Sequence, residues 1–551
     1  MTHRRKRVLI VGGMAGGASC AARLRRLDEH ADIVVFERAP YVSIGSCGLP
    51  YSVGNVIPDE SRLFVASPEL LQERFRVEVR TEHEVVAIDR ARGEIAVRDL
   101  RKGQTRREPY DALVLSPGAA PLRPPLPGID LPGIFTLRTL ADTHCLKAWI
   151  ETRHPARAVI VGGGLIGLEM AENLVRRGLA VTIIEALPQL LPLLDAEMAE
   201  PVSRHLESNR VTLHLGDGVA GFESRSGGGI QVWTASGVPH PADVVVLALG
   251  VRPETTLAAA AGLEIGKKGG IRVDSSMRTS DPSIWAVGDA VEVRDVVTGE
   301  WCVVPMAGPA NRQGRVAADS ICGRPARFRG VQSTVVCGVF GLTVALTGAS
   351  EKALRRAGIC GYQAIYVHPA SHAGYYPGAK PIHMKLVFAA KDNRILGAQA
   401  VGEDGVDKRI DVLAMAIQKQ ATVFDLEECE LCYAPQFGSA KDPVNMAGMV
   451  AANVLRGDMP VASWEQLSGT QAIILDVRDP DEYAAGHIEG AINVPLNQLR
   501  ERLRELPRDR EIWVNCAVGQ RSYYAQRLLL QHGFQVRNLS GGYETYWGWN
   551  P

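Results

Sequence analysis

Two cysteines stand where they could carry sulfur chemistry. Cys47 lies in Ser43-Ile44-Gly45-Ser46-Cys47-Gly48-Leu49-Pro50-Tyr51. Pro50 suits the first turn of a helix, where its missing N–H costs nothing. Cys47 is then expected at a helix N-terminus, where the dipole and free N–H groups favour the thiolate. Such a thiolate is a redox nucleophile; the alternative is a small buried core residue. Cys516 opens Cys516-Ala517-Val518-Gly519-Gln520-Arg521-Ser522, after the strand-like Glu511-Ile512-Trp513-Val514-Asn515. A loop between strand and helix can aim backbone N–H groups at a thiolate or persulfide. Arg521 adds positive charge there; the alternative is a buried cysteine in a turn. Cys429 and Cys432 form a lone C-x-x-C with no second pair, so no metal site is expected and a redox role stays open.

Strands and glycine turns must position these groups. Val8-Leu9-Ile10-Val11 reads as a buried strand, followed by Gly12-Gly13-Met14-Ala15-Gly16-Gly17 and an amphipathic helix to about Leu27. Asp32 to Phe36 makes a second strand ending at Glu37. This is a nucleotide-binding βαβ unit with an acidic residue placed for ribose hydroxyls, although Met14 takes the second glycine position. A second copy is complete: Ala158–Val161, then Gly162-Gly163-Gly164-Leu165-Ile166-Gly167, a helix, and Val181–Glu185. Gly162, Gly164 and Gly167 serve the turn, the pyrophosphate approach and helix–strand packing. Glu185 favours NADH over NADPH, with Arg176 or Arg177 as complications. Leu113-Val114-Leu115-Ser116-Pro117-Gly118 and Val245–Gly250 are further strands with tight turns, and Gly288-Asp289 follows Ile284-Trp285-Ala286-Val287.

Length and composition agree with a multidomain protein. The chain has 551 residues, with 61 Lys plus Arg against 61 Asp plus Glu. Three or four domains are expected. The charge balance argues against a dedicated nucleic-acid binder. No run reaches the length of a membrane span, and the basic N-terminus leads into a strand instead of a signal peptide. Ten scattered cysteines point to a reducing cytoplasm.

The order of these pieces, over roughly residues 7–450, resembles the FAD-dependent pyridine nucleotide–disulfide oxidoreductase family. Ser43-x-x-x-Cys47-Gly-Leu-Pro-Tyr is similar to its coenzyme A–disulfide reductase subgroup. Asp476-Val477-Arg478, Gly486-His487-Ile488 and the Cys516 loop with Arg521 resemble a rhodanese domain. The resemblance implies an α/β protein with two Rossmann-like domains, an α+β dimerisation domain and a C-terminal rhodanese. The boundaries read as FAD domain 1–150 and 276–325, NAD(H) domain 151–275, dimerisation domain 326–450, linker 451–467 and rhodanese 468–551. Extended at about 3.3–3.6 Å per residue, that linker would span roughly 50 Å.

The resemblance assigns FAD to Gly12, Gly13, Ala15, Gly16, Gly17, Glu37, Arg38, Ser116, Pro117, Gly118, Gly288 and Asp289. It assigns NADH to Gly162, Gly164, Gly167 and Glu185. Two-cysteine relatives carry a second cysteine five residues away; here Val42 and Ser52 stand there. Coenzyme A is then the implied thiol partner of Cys47, held by Ser19, Arg23, Arg26, Ser43, Ser46 and Lys441. Arg23 and Arg26 are spaced i, i+3, which equally suits a solvated helix face. Tyr375 and Tyr433 resemble paired active-site tyrosines supplied by the other subunit of a homodimer, with a general-acid role.

The implied activity is NADH-dependent reduction of persulfides, polysulfides or coenzyme A disulfide, with Cys516 collecting sulfane sulfur. The alternatives are an NADH oxidase or peroxidase using a Cys47 sulfenic acid, a protein that is chiefly a sulfurtransferase, and a non-enzymatic redox sensor.

Overall fold

Continuous apolar runs such as Val8-Leu9-Ile10, fully buried, form strands covered on both faces, as a parallel sheet requires. The computed structural model describes residues 5–549. The chain divides into Met1–Ala186 with His214–Val331, and Leu187–Leu213 with Gln332–Pro551.

The first unit holds both glycine turns. One sheet runs in the order Ile284–Ala286, Ala112–Leu115, Arg7–Val11, Asp32–Glu37, Glu78–Thr81. All its pairings are parallel, with Val8 opposite Ile33 and Ala112. The second sheet places Arg157–Val161 between Ala180–Glu185 and Val244–Leu247, with Ile134–Thr136 beyond. A short ribbon, Ala119–Pro121 against Val251–Pro253, marks the two passages between these halves. This revises the expected 150/151 and 275/276 boundaries. Ile134 packs in the second core. Ala258, Leu263 and Ile271 pack in the first.

The second unit contains two further sheets. The antiparallel one runs Val335–Val339, Leu342–Gly348, Ile395–Gly402, Ile382–Ala389, Tyr362–Val367. Helix Val406–Gln418 lies against it. The parallel one runs Val461–Ala462, Val536–Leu539, Ile512–Asn515, Ile473–Asp476, Ile492–Asn493.

Two sequence expectations are corrected here. The stretch 451–467 is not an extended linker. Helix Pro443–Leu455 occupies its start, and Val461–Ala462 is already an edge strand of the last sheet. The stretch shows no strong period, and its two-residue strand is defined only by pairing with Asn538 and Leu539. The C-terminal domain is hydrogen-bonded to the antiparallel sheet. Tyr366 N donates to Ser540 Oγ at 3.0 Å, and His368 Nε2 lies 2.9 Å from Thr545 Oγ1.

The second correction concerns 187–213, expected within the NAD(H) domain. Helix Ala196–Ser208 belongs to the second unit. The cause is Lys385, fully buried in the antiparallel sheet. A buried ammonium needs carboxylate partners. Asp195 lies at 2.8 Å, Glu351 at 2.6 Å, and Glu197 completes the set while accepting the Tyr366 hydroxyl at 2.9 Å.

Candidate active site

The first glycine turn is shaped for a dinucleotide. Gly12 adopts φ +93°, and a Cβ there would meet the Ser116 carbonyl oxygen at 2.1 Å. Gly13 N donates to Glu37 Oε2 at 2.8 Å, and Ala39 N to Glu37 Oε1 at 2.9 Å. Glu37 is thereby fixed at the end of its strand, with Arg38 exposed beside it. Gly16, Ser116 and Gly288 converge: the Cβ positions of Gly16 and Gly288 would lie 3.0 and 3.6 Å from Ser116 Oγ. Ala15 and Gly17 begin the helix here, and Pro117-Gly118 completes the facing turn. Gly288 N donates to Gln313 Oε1 at 2.7 Å, and Arg138 holds Asp289 Oδ2 at 2.7 Å. A fixed ribose acid, a floor of small residues and a positioned Asp289 fit FAD.

The second turn repeats the design. Gly163 N donates to Glu185 Oε2 at 2.7 Å. A Cβ on Gly167 would strike the Gly162 carbonyl oxygen at 2.1 Å, whereas one on Gly164 would meet nothing within 4 Å. Protein packing therefore does not demand glycine at 164; close approach of a pyrophosphate does. Arg176 is bound to Glu172 at 2.7 Å and Arg177 to the Val53 carbonyl at 3.0 Å. Both are engaged away from Glu185, so the acidic residue acts without them, which suits NADH.

Cys47 occupies a single 3-10 turn, Ser46–Gly48, running into helix Leu49–Val53 with Pro50 in its first turn. The loop before it is laid over the glycine turn: Ser43 N donates to the Gly13 carbonyl at 2.9 Å and Ser43 adopts φ +50°. The side chain is exposed while Val42 and Ser52 are fully buried. The expected thiolate stabilisation is corrected. Partial burial raises the Cys47 pKa, Glu169 and Asp289 raise it further, and Arg138 only partly opposes them. A five-residue helix carries too small a dipole to reverse this. Glu169 accepts from Tyr51 Oη at 3.3 Å and is itself raised by burial.

The residues expected to hold coenzyme A have different partners. Ser19 Oγ donates to the Asn311 carbonyl at 3.3 Å. Arg23 pairs with Asp319 at 2.8 Å. Arg26 is exposed, its guanidinium carbon 5.9 Å from the Phe75 ring centroid. Arg25, between them, donates to the carbonyls of Phe75, Asp28, Glu29 and Arg76 and is a structural staple. Ser43 lies in the Cys47 loop and Ser46 begins its turn, and Ser46 is exposed. In the second unit, Lys441 is exposed just before helix Pro443–Leu455. There too the Tyr375 and Tyr433 hydroxyls meet at 2.6 Å. The Tyr433 pKa is raised, first by that hydrogen bond. Tyr376 instead packs edge-on against His372.

Cys516 directly follows the strand Ile512–Asn515, with its side chain fully buried. Gly519 N points at Sγ from 3.2 Å, and Ser522 Oγ lies 3.5 Å away. Tyr543 N and Glu544 N tie the Cys516 and Ala517 carbonyls to the start of helix Gly542–Trp549. Arg521 does not offer a free charge. Both its Nη atoms contact Glu482 at 2.6 Å.

Sequence reasoning missed Arg138, Glu169, Gln313 and Glu482. Each acts across a long chain separation, and no local motif marks it. The exception is Glu482, whose capping-box position after Asp479 is legible from spacing alone. Among the described residues, the acidic trio Asp195, Glu197 and Glu351 is close enough for a metal, but it holds the Lys385 ammonium.

Three family models match successive parts of the chain. The pyridine nucleotide-disulphide oxidoreductase model matches residues 6–314, its dimerisation-domain model 334–442, and a rhodanese-like domain model 461–548. A coenzyme A disulfide reductase of Staphylococcus aureus is 33% identical over 446 residues, 81% of this chain and 99% of that protein. The crystal structure of reduced CoADR-RHD from Bacillus anthracis is 44% identical, with TM-score 0.97, over 99% of this chain and 98% of the other. An NAD-dependent persulfide reductase from A. fulgidus is 39% identical, with TM-score 0.91, over 98% and 100%. A water-forming NADH oxidase from Lactobacillus brevis is 27% identical, with TM-score 0.78, over 82% and 99%.

Proposed function

Because this chain belongs to the pyridine nucleotide-disulphide oxidoreductase family, we propose that it is an NADH-dependent reductase of persulfides, polysulfides and coenzyme A disulfide. The observation that carries this reading is the setting of Cys47. Its side chain is exposed, and Val42 and Ser52 stand where a local partner thiol would be. With no local partner thiol there, the likeness to coenzyme A disulfide reductases supports coenzyme A as the second thiol.

When bound, FAD supplies two-electron transfer between NADH and Cys47. The turn at Gly12–Gly17 with Glu37, Ser116, Gly288 and Asp289 holds it; the turn at Gly162–Gly167 with Glu185 holds NADH. Cys47 acts as the nucleophile. Its thiolate attacks the carbon-bound sulfur of R–S–SH, forming Cys47–S–S–R and expelling hydrosulfide. Two electrons and one proton, delivered as hydride from NADH, return Cys47 thiolate and R–SH. The raised Cys47 pKa means a proton must leave before attack at neutral pH. The Tyr375–Tyr433 pair is suited to proton donation to a leaving sulfur. We place that pair, and Lys441 for the coenzyme A phosphates, across a homodimer interface, with Ser19, Arg23, Arg26, Ser43 and Ser46 on the Cys47 side. Arg23 must exchange its Asp319 partner to do so, so Arg26 is the stronger of the two.

Cys516 takes up sulfane sulfur as Cys516–S–SH. The docked C-terminal domain favours a diffusible carrier over a swinging tether for onward transfer. Among the described residues no helix is long and apolar enough to cross a membrane; we place the protein in the cytoplasm. Purified protein should release FAD and coenzyme A on reducing denaturation and oxidise NADH with persulfide anaerobically. Faster NADH oxidation with oxygen or peroxide would instead favour the sulfenic acid reading.

A further inference from the structure

The C-terminal loop shows an unusual disposition of charge for a site that takes an anionic sulfur group. Arg521, in the first turn of helix Gln520–Gln531, is held by both Glu482 oxygens at 2.6 Å, with Asp479 Oδ2 at 3.4 Å. The Arg521 hydrogen bonds keep the Glu482 carboxyl below its usual range, so it stays ionised near neutral pH. The other guanidinium of this neighbourhood, Arg478, is buried. It spans Asp476 at 2.7 Å and the Gly486 carbonyl at 2.7 Å, beneath the Tyr543 ring. Ala517, Val518, Gly519 and Gln520 bring no charge, and Val518 is exposed. Cys516 Sγ therefore has a backbone N–H donor but no uncommitted cation from these two arginines.

We propose that Glu482 is a specificity-determining residue of this site. By occupying Arg521 it disfavours dianionic donors such as thiosulfate and reserves Cys516 for organic persulfides. The inference rests on the reading of Cys516 as a sulfur carrier. The favoured step is R–S–SH plus Cys516 thiolate giving Cys516–S–SH and R–S⁻; the carbon-side sulfur leaves with the S–S electron pair and the proton stays on the transferred sulfur. The disfavoured step takes the outer sulfur of thiosulfate and expels sulfite. It brings two negative charges to a rim that already carries Asp479 and Glu482.

The test uses the full-length FAD-loaded protein without NADH, with cyanide as sulfur acceptor. Thiocyanate formation from glutathione persulfide and from thiosulfate is measured for wild type and Glu482→Gln. Gln keeps the capping geometry at this position. Wild-type kcat/KM should be roughly a hundredfold lower for thiosulfate than for persulfide. Glu482→Gln should raise the thiosulfate value about tenfold or more, the worth of one recovered charge-assisted hydrogen bond. Comparable wild-type values for the two donors would overturn the proposal even if the variant failed to fold. So would a folded variant with unchanged thiosulfate turnover. Mass spectrometry of Cys516 separates the two levels of the argument. If neither donor adds a sulfur atom to Cys516, the carrier reading itself fails and this proposal with it.

Discussion

Acid should loosen the second unit through one buried imidazole. His368 sits on strand-end residues of the antiparallel sheet, with Nδ1 2.9 Å from His383 Nδ1 and Nε2 2.9 Å from Thr545 Oγ1. Burial and then the neighbouring His383 push its pKa down from 6.5 to about 3. His383 is lowered too, mainly by burial, against a raising effect of Glu544. The unfolded chain takes up a proton at His368 near the ordinary value of 6.5, while the native state refuses it. The stability held by neutral His368 is therefore complete above that value and is lost as pH falls towards about 3. One pH unit corresponds to about 1.4 kcal/mol, so a fall to pH ~5 costs about 2 kcal/mol from this group alone. The assay is urea denaturation of wild type and His368→Gln between pH ~7.5 and ~5, followed by fluorescence of Trp464 and Trp547. Trp464 donates to the Ser540 carbonyl and Trp547 lies under Arg204, so both report on this seam. Wild type should lose about 2 kcal/mol more than the variant over the acid interval. Parallel stability curves would refute the buried-neutral imidazole.

Other outcomes follow from the same geometry. Glu169→Gln should lower the Cys47 pKa and speed iodoacetamide alkylation of Cys47 at mildly alkaline pH; an unchanged pH profile would remove Glu169 as a cause. Glu185→Ala should erode the preference for NADH over NADPH, read as the ratio of kcat/KM values, and an intact ratio would contradict its ribose role. Tyr433→Phe should slow persulfide-dependent turnover by roughly 10²-fold with FAD binding retained; wild-type turnover would make the tyrosine pair an interface feature only. Lys385→Met should destabilise the second unit by about 3–5 kcal/mol, because it strands buried carboxylates. A negligible change in urea midpoint would show that those acids find other partners.

Much of this architecture is visible in local sequence because its devices are local. Gly167 is demanded by the Gly162 carbonyl five residues back, and Glu37 and Glu185 bond to N–H groups of the turns themselves; Gly12 and Gly162 take positive φ inside recognisable glycine turns, although the carbonyls that crowd them, of Ser116 and Ala248, lie far along the chain. The exposed Cys47 turn and the Cys516 loop were legible for the same reason. What escaped depends on distant charge. Helix Ala196–Ser208 leaves its expected domain because Lys385, far along the chain, requires Asp195 and Glu197. The Cys47 thiol is raised instead of lowered because the fold partly buries it and, in addition, brings Glu169 and Asp289 towards it in three dimensions. The loop sequence marks Arg521 as positive charge beside Cys516, but Glu482, 39 residues earlier, holds both its Nη atoms. The short strand Val461–Ala462 was invisible because its pairing, and not its composition, makes it a strand.

The central claim is that Cys47 carries NADH-dependent sulfur reduction with a small-molecule thiol as its partner. It is tested most directly by anaerobic turnover of coenzyme A persulfide, following NADH loss and sulfide release together in wild type and Cys47→Ser. The account predicts equimolar NADH oxidation and sulfide release in wild type, and an FAD-loaded Cys47→Ser protein that does neither. Undiminished persulfide-dependent NADH oxidation by Cys47→Ser would contradict it.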